Sequence, residues 1–284
     1  MIEPVRPAEQ TAEPPDIRLI AADMDGTLLD DTGELHAHFW PLIEELHRRG
    51  VLFCPASGRQ YYNLLDRFAD IADDVVFIAE NGTYVVHQGR EISSDCLPLD
   101  DAARLVTSIR ATVEGGVDAG MVLCGKRSAY IERNDRRFRG EIDCYYSRLT
   151  PVPDLLAVRD DDILKVSVFD FGSAEQTSAP PLAGFRETQL VTVSSTNWID
   201  ITSRTANKGA AVRALQRTYG ISPAQTMVFG DFLNDLEMMD TADWSYAMSN
   251  AHPLLKERAR YVAPSNLDNG VVRAISSLLE LSWH

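Results

Sequence analysis

Ile17-Arg18-Leu19-Ile20-Ala21-Ala22-Asp23-Met24-Asp25-Gly26-Thr27 is an apolar run that stops at two aspartates, a glycine and a threonine. Its length and composition are those of a strand buried on both faces of a parallel sheet. The aspartates then stand at the carboxyl end of that strand, the edge where open α/β sheets bind ligands. A carboxylate there can act as a nucleophile toward phosphorus. Asp25, two residues on, lies on the same side of an extended chain and can serve as general acid and then general base. Gly26 lets the backbone turn tightly. Alone, the stretch reads equally well as a strand and an ordinary Asp-Gly turn, so the rest of the chain decides.

Two more stretches repeat the design. Val51-Leu52-Phe53-Cys54 runs into Pro55-Ala56-Ser57-Gly58-Arg59, with a helix expected from about residue 60. A serine hydroxyl and the N–H groups after it at a helix start can hold an anion, although an N-cap serine looks the same. Thr226-Met227-Val228-Phe229 runs into Gly230-Asp231-Phe232-Leu233-Asn234-Asp235, a second acidic strand end. Between them, Asn207-Lys208-Gly209 opens a helix with Ala211, Leu215 and Tyr219 on one face, closed by Gly220.

These residues suggest one chemistry. A carboxylate nucleophile and a phosphate dianion repel each other. A divalent cation held by Asp23 and Asp231 would remove that repulsion and polarise the phosphoryl oxygens. Mg2+ suits an all-oxygen site that keeps several waters. Lys208 would add a point charge, and Ser57 with the Gly58 N–H would hold the same group. Asn234 would orient Lys208 or the substrate, and Asp235 would support the site from behind. Each residue singly has a dull explanation; their occurrence in this order, each group at a strand end or helix start, is much harder to obtain by chance.

The chain has 284 residues, 45% hydrophobic and 24% charged, enough for a sizeable core in one large domain or two. Its net charge of −15 argues against nucleic acid or an anionic membrane as partner. A small phosphorylated substrate stays possible, because a bound metal inverts the local field. No run has the length of a membrane span, and the N-terminus lacks a signal peptide's apolar core. Cys54, Cys96, Cys124 and Cys144 show neither a C-x-x-C pair nor zinc-like spacing, and read as reduced, buried thiols of a cytoplasmic protein. His36 and His38 read as surface residues.

Residues 1–16, rich in Pro, Glu and Ala, read as a disordered leader. Phe39, Leu42, Ile43 and Leu46 predict a helix over 40–49, closed by Gly50. Residues 75–79 predict a third buried strand, and Glu80-Asn81-Gly82-Thr83 before Tyr84-Val85-Val86 predicts a hairpin. From about residue 88 the acidic strand ends stop. Helices over 100–112 and 136–146, strands at 121–124, 129–132, 163–169, 189–193 and 198–202, and a loop around 178–181 predict an inserted α+β domain with a largely antiparallel sheet. Strands at 244–248 and 260–263 and a helix over 271–281 close the chain. The expected fold class is α/β: a Rossmann-like doubly wound parallel-sheet core over 17–87 and 204–284, with the α+β insertion at 88–203.

The order Asp-x-Asp-Gly-Thr, Ser-Gly-Arg, Asn-Lys-Gly, Gly-Asp-x-x-Asn-Asp resembles the four motifs of the haloacid dehalogenase superfamily. The Glu80-Asn81-Gly82 hairpin and the long insertion between Ser57 and Lys208 resemble its Cof-type branch. The likeness covers 17–284. It implies a Mg2+-dependent phosphatase that acts on a sugar phosphate or related metabolite through an aspartyl-phosphate, with the insertion as a C2-type (IIB) cap. By position it implies Asp23 as nucleophile and Asp25 as general acid and base. It implies that Asp23, the backbone carbonyl of Asp25 and Asp231 hold Mg2+, and that Ser57, Gly58, Lys208 and Asn234 contact phosphoryl group or substrate. The family often has Thr where Ser57 stands; the hydroxyl is retained. The alternatives are a phosphotransferase or mutase using the same aspartyl-phosphate, and a phosphometabolite-binding regulator. The expected partner is a small phosphorylated metabolite, not nucleic acid or membrane.

Overall fold

A computed structural model describes residues 14–281. The disordered leader expected over 1–16 lies outside the described residues as far as residue 13. Asp16 is held, its Oδ2 accepting a hydrogen bond from Gln225 Nε2 at 2.6 Å.

By packing the chain divides into two units, one running through Ser57, over Asp70–Ser93 and from Asn207 on, the other comprising Gly58–Ala69 and Ser94–Ala206. The chain begins with β1 (Leu19–Asp23), α1 (Phe39–Arg48), β2 (Leu52–Ala56), α2 (Tyr61–Arg67), β3 (Val76–Ala79), β4 (Tyr84–His87) and β5 (Arg90–Ser94). Next come α3 (Leu99–Glu114), β6 (Ala119–Gly125), β7 (Ala129–Ile131), α4 (Arg136–Ile142), β8 (Leu149–Pro151), β9 (Ile163–Asp170), β10 (Gln189–Val193) and β11 (Trp198–Ser203). It ends with α5 (Lys208–Tyr219), β12 (Thr226–Gly230), α6 (Leu236–Met239), β13 (Trp244–Met248), α7 (Pro253–Arg258), β14 (Tyr261–Ala263) and α8 (Gly270–Leu278).

The first unit is built on an eight-stranded sheet in the order β14-β13-β12-β1-β2-β3-β4-β5. The strands from β14 to β3 run parallel, and β4 turns back against β3. β1 is central and fully buried, with Leu19, Ile20, Ala21 and Ala22 all at 0% exposure. It pairs on one side with β12 (Ala22 with Phe229) and on the other with β2 (Asp23 with Ala56). This register makes the two acidic strand ends neighbours. α1 buries the stripe Phe39, Leu42, Ile43 and Leu46, the helical period read from sequence. α5 starts on the Asn207 side chain, which accepts a hydrogen bond from the Ala210 N–H, and ends at Gly220 in the left-handed region.

The second unit carries a six-stranded sheet, β10-β11-β9-β6-β7-β8, antiparallel except between β7 and β8. On one face Leu105, Val106 and Ile109 of α3 pack with Met121, Leu123, Val166, Val168, Ile199 and Ile201. On the other, Phe138 and Ile142 of α4 pack with Val122, Cys124 and Phe169.

Several expectations need adjustment. Arg90–Ser94 continues the first unit's sheet as an edge strand, and the second unit resumes at Ser94 rather than at residue 88. Gly58–Ala69, read as core, packs with the second unit. The loop expected around 178–181 is a pair of short helical turns, Ala174–Ser178 and Pro180–Glu187, tied down by Thr177 and Ser178 hydroxyls on Asp170. All four cysteines are free; Cys54 and Cys124 are buried, Cys96 is half-buried and Cys144 is exposed. Among the described residues no helix is long and apolar enough to cross a membrane.

Candidate active site

β1 ends at Asp23, β12 ends at Gly230 just before Asp231, and α5 begins at Lys208. Lys208 has no exposed surface. Its Nζ donates to Asp23 Oδ1 and, at 2.7 Å, to Asp235 Oδ1. The other oxygen of Asp235 accepts the N–H groups of Asp231 (3.0 Å) and Phe232 (3.2 Å). Asp235 thus holds the lysine with one oxygen and shapes the Asp231 loop with the other. A buried ammonium is tolerated only when paired in this way.

Asp231 is fixed from a second side, where Thr27 Oγ1 donates to its Oδ1 at 3.0 Å. Gly26 has φ +79°, and a Cβ there would lie 2.5 Å from Asp231 Oδ2. Only glycine lets the β1 turn come this close to the β12 loop. The loop after β13 braces both: Asn250 Nδ2 donates to the Gly26 carbonyl at 2.8 Å, and the His252 N–H donates to the Asp231 carbonyl at 2.8 Å.

The carboxylates of Asp23, Asp231 and Asp235 offer ligand oxygens within 4.8 Å of one another. Burial pushes the Asp23 carboxyl well above the usual range; Lys208 opposes this, while Asp235 and Asp231 add to it. Burial and then Asp235 also raise Asp231. Burial alone would favour loss of the Lys208 proton, but Asp23 and Asp235 outweigh it and raise its pKa. Three carboxylates face one ammonium, so the donor set fits a further cation. Both Asp235 oxygens are engaged, whereas Asp23 and Asp231 each have one oxygen engaged by Lys208 or Thr27, so Asp23 and Asp231 are the residues that could hold it, and an all-oxygen set suits Mg2+.

Of the other expected residues, Asp25 is exposed in the turn after β1. Ser57 is 2% exposed, with its N–H on the Ile78 carbonyl and its carbonyl on the Asn81 N–H, both at 2.9 Å. Gly58 follows it as the first residue of the second unit's short segment. Asn234 does not reach Lys208: its Nδ2 donates to Asn81 Oδ1 at 3.2 Å, and Asp235 orients the lysine instead. Thr27, Asn250 and His252 were not anticipated. Asn250 and His252 carry a usable signal, since they follow another buried strand of the parallel sheet at its carboxyl end.

Residues 20–275 match the haloacid dehalogenase-like hydrolase family. The chain is 33% identical over 272 residues to the 5-amino-6-(5-phospho-D-ribitylamino)uracil phosphatase YbjI of Escherichia coli (strain K12), covering 93% of this chain and 97% of the relative. It is 28% identical over 240 residues to the HMP-PP phosphatase of Cronobacter sakazakii, covering 84% and 86%. Among solved structures, the HAD subclass IIB sugar phosphatase BT4131 shares the fold, with a TM-score of 0.75 at 20% identity over 92% of this chain and 98% of that one.

Proposed function

The chain belongs to the haloacid dehalogenase-like hydrolase family and is a phosphatase of phosphoric monoesters, and from that premise we propose a Mg2+-dependent hydrolysis of small phosphometabolites through an aspartyl-phosphate on Asp23. The observation that carries the reading is the buried Asp23–Lys208–Asp235 chain beside Asp231. An Asp23 oxygen attacks phosphorus while the bond to the leaving oxygen breaks, and Asp25 gives that oxygen its proton. Asp25 then takes a proton from water, which attacks the same phosphorus and releases orthophosphate and free Asp23. Lys208 opposes the burial that raises the Asp23 carboxyl and faces the phosphoryl charge. The Ser57 hydroxyl, the Gly58 N–H and Asn234 hold the phosphoryl group or substrate. Asp23, the Asp25 carbonyl and Asp231 would hold Mg2+, which when bound neutralises the repulsion between nucleophile and substrate and polarises the phosphoryl oxygens.

We assign the second unit the part of a C2-type cap that selects the substrate. The relatives named for a phosphoribitylaminouracil and for HMP-PP support a sugar phosphate or related metabolite as substrate. The free cysteines support an enzyme working in the cytoplasm. Phosphate release from an aryl phosphate and from a panel of sugar and cofactor phosphates tests this. Activity should vanish on exhaustive chelation, return with Mg2+, and fail to return with Ca2+, whose looser coordination misplaces the nucleophile. Full activity after chelation would overturn the metal assignment, and no release from any compound would overturn the reaction.

A further inference from the structure

β9 is buried along its whole length, and such strands are normally apolar. Lys165 breaks the pattern. It pairs across the sheet with Cys124 and Thr202 and is 4% exposed. Its Nζ donates to the Gly58 carbonyl at 3.0 Å and lies 3.5 Å from Asp200 Oδ1. Asp200 is itself held, by Ser167 Oγ at 2.6 Å and Ser194 Oγ at 3.0 Å. Burying an ammonium in a sheet is costly unless it is paired and hydrogen-bonded. The partners of Lys165 include an oriented carboxylate and the backbone carbonyl of Gly58.

A trans peptide is planar, with its carbonyl and N–H pointing opposite ways. By holding the Gly58 carbonyl, Lys165 fixes the Gly58–Arg59 peptide, the plane next to the one that carries the Gly58 N–H, and so limits rotation about Gly58 between them. Glycine imposes little restriction of its own, so this plane needs an external anchor. The flanking anchors are already in place: Ser57 bonds to Ile78 and Asn81, and the Gln60 side chain donates to the Arg148 carbonyl (2.8 Å) and accepts from the Arg148 N–H (2.9 Å). Lys165 supplies the middle one.

We propose that Lys165 is a positioning residue for the phosphoryl-binding loop, acting through the Gly58 carbonyl, with Asp200 aligning its ammonium. This rests on the assignment of Ser57 and Gly58 to the phosphoryl group. Lys165→Met keeps the length and apolar stem of the side chain and removes the donor. In hydrogen–deuterium exchange of the full chain, the amides of 58–60 should exchange about tenfold faster while the rest of the chain is unchanged. With an aryl phosphate, KM and the inhibition constant of inorganic phosphate should rise together, about fivefold to tenfold, with kcat changed by less than about twofold. Lys165→Arg, which restores a charged donor, should recover KM. If Lys165→Met fails to fold, Asp200→Asn should move the same quantities the same way by less. Unchanged exchange at 58–60, an unchanged KM, or exchange accelerated throughout the chain overturns the proposal. A wild-type protein without turnover instead overturns the phosphatase reading, and the exchange measurement, which needs no turnover, still decides whether Lys165 anchors the loop.

Discussion

Lys208 sits between two carboxylates with no surface in contact with solvent. Removing its charge leaves Asp23 and Asp235 buried and uncompensated. Lys208→Met should therefore lower stability in a chelating buffer by about 3–5 kcal/mol, and excess Mg2+ should restore part of it by binding only the folded state. Thermal melts with and without Mg2+ check this; wild-type stability in chelator would refute it. Asp23→Asn should behave differently, because the amide oxygen still accepts from Lys208 but cannot attack phosphorus. Turnover should fall by more than about a thousandfold with the circular-dichroism spectrum retained, and a folded variant with near-normal rates would remove Asp23 from the role. Asp23 and Asp231 were legible because a charged residue at the end of an apolar run is unusual, and Lys208 because Asn-Lys-Gly opens a helix between those two strand ends. Thr27 was not, because a threonine after Asp-Gly is an ordinary turn residue, and only the fold reveals that it reaches Asp231.

At the scale of elements, β1, β12, α1 and α5 were readable because their periods are uninterrupted and each ends on a turn or cap residue. β5 mixes Arg, Glu and Ser with one Ile, and β8 has three residues, so neither offers a period to read. α2 shows an apolar face in sequence, but a face does not say which unit it joins. The contact between β4 and α5 carries a pH dependence. His87 Nδ1 lies 2.6 Å from the Tyr219 hydroxyl, and burial lowers the His87 pKa, partly opposed by Asp73. The unfolded chain then takes up this proton at a higher pH than the folded one. The stability contribution is complete above the unfolded value of about 6.5 and declines as pH falls from there toward the lowered folded value. His87→Gln should flatten the acid limb of the stability profile below about pH 6.5, measured by denaturant unfolding at a series of pH values. An unaltered slope would show that other groups set it.

Over the whole molecule, the chain passes between its two units at Ser57/Gly58, Ala69/Asp70, Ser93/Ser94 and Ala206/Asn207. Sequence alone suggested only the last two kinds of crossing, because nothing in residues 58–69 marks them as leaving the core and returning. The carboxylates and lysine proposed for the reaction all belong to the first unit. They address the phosphoryl group, which every candidate substrate shares, so they cannot discriminate among leaving groups. The second unit has chemistry suited to that task. The Arg148 guanidinium lies 3.6 Å from the centre of the Tyr62 ring, and Arg59 lies 5.9 Å from that of Tyr145, which stays 39% exposed. Cations and aromatic rings of this kind bind sugar hydroxyls and planar heterocycles. Arg148→Ala and Tyr145→Ala should therefore change kcat/KM ratios among sugar and heterocyclic phosphates by about tenfold, the size of a lost polar or stacking contact, while a small aryl phosphate changes much less. Such a pattern differs from that expected of Lys165→Met, which should weaken every phosphoester alike. Steady-state kinetics on three or more substrates separates the two. A uniform shift for Arg148 and Tyr145 variants would place selectivity in the first unit's loops, with the exposed Phe232 and Leu233 beside Asp231 as the next residues to change.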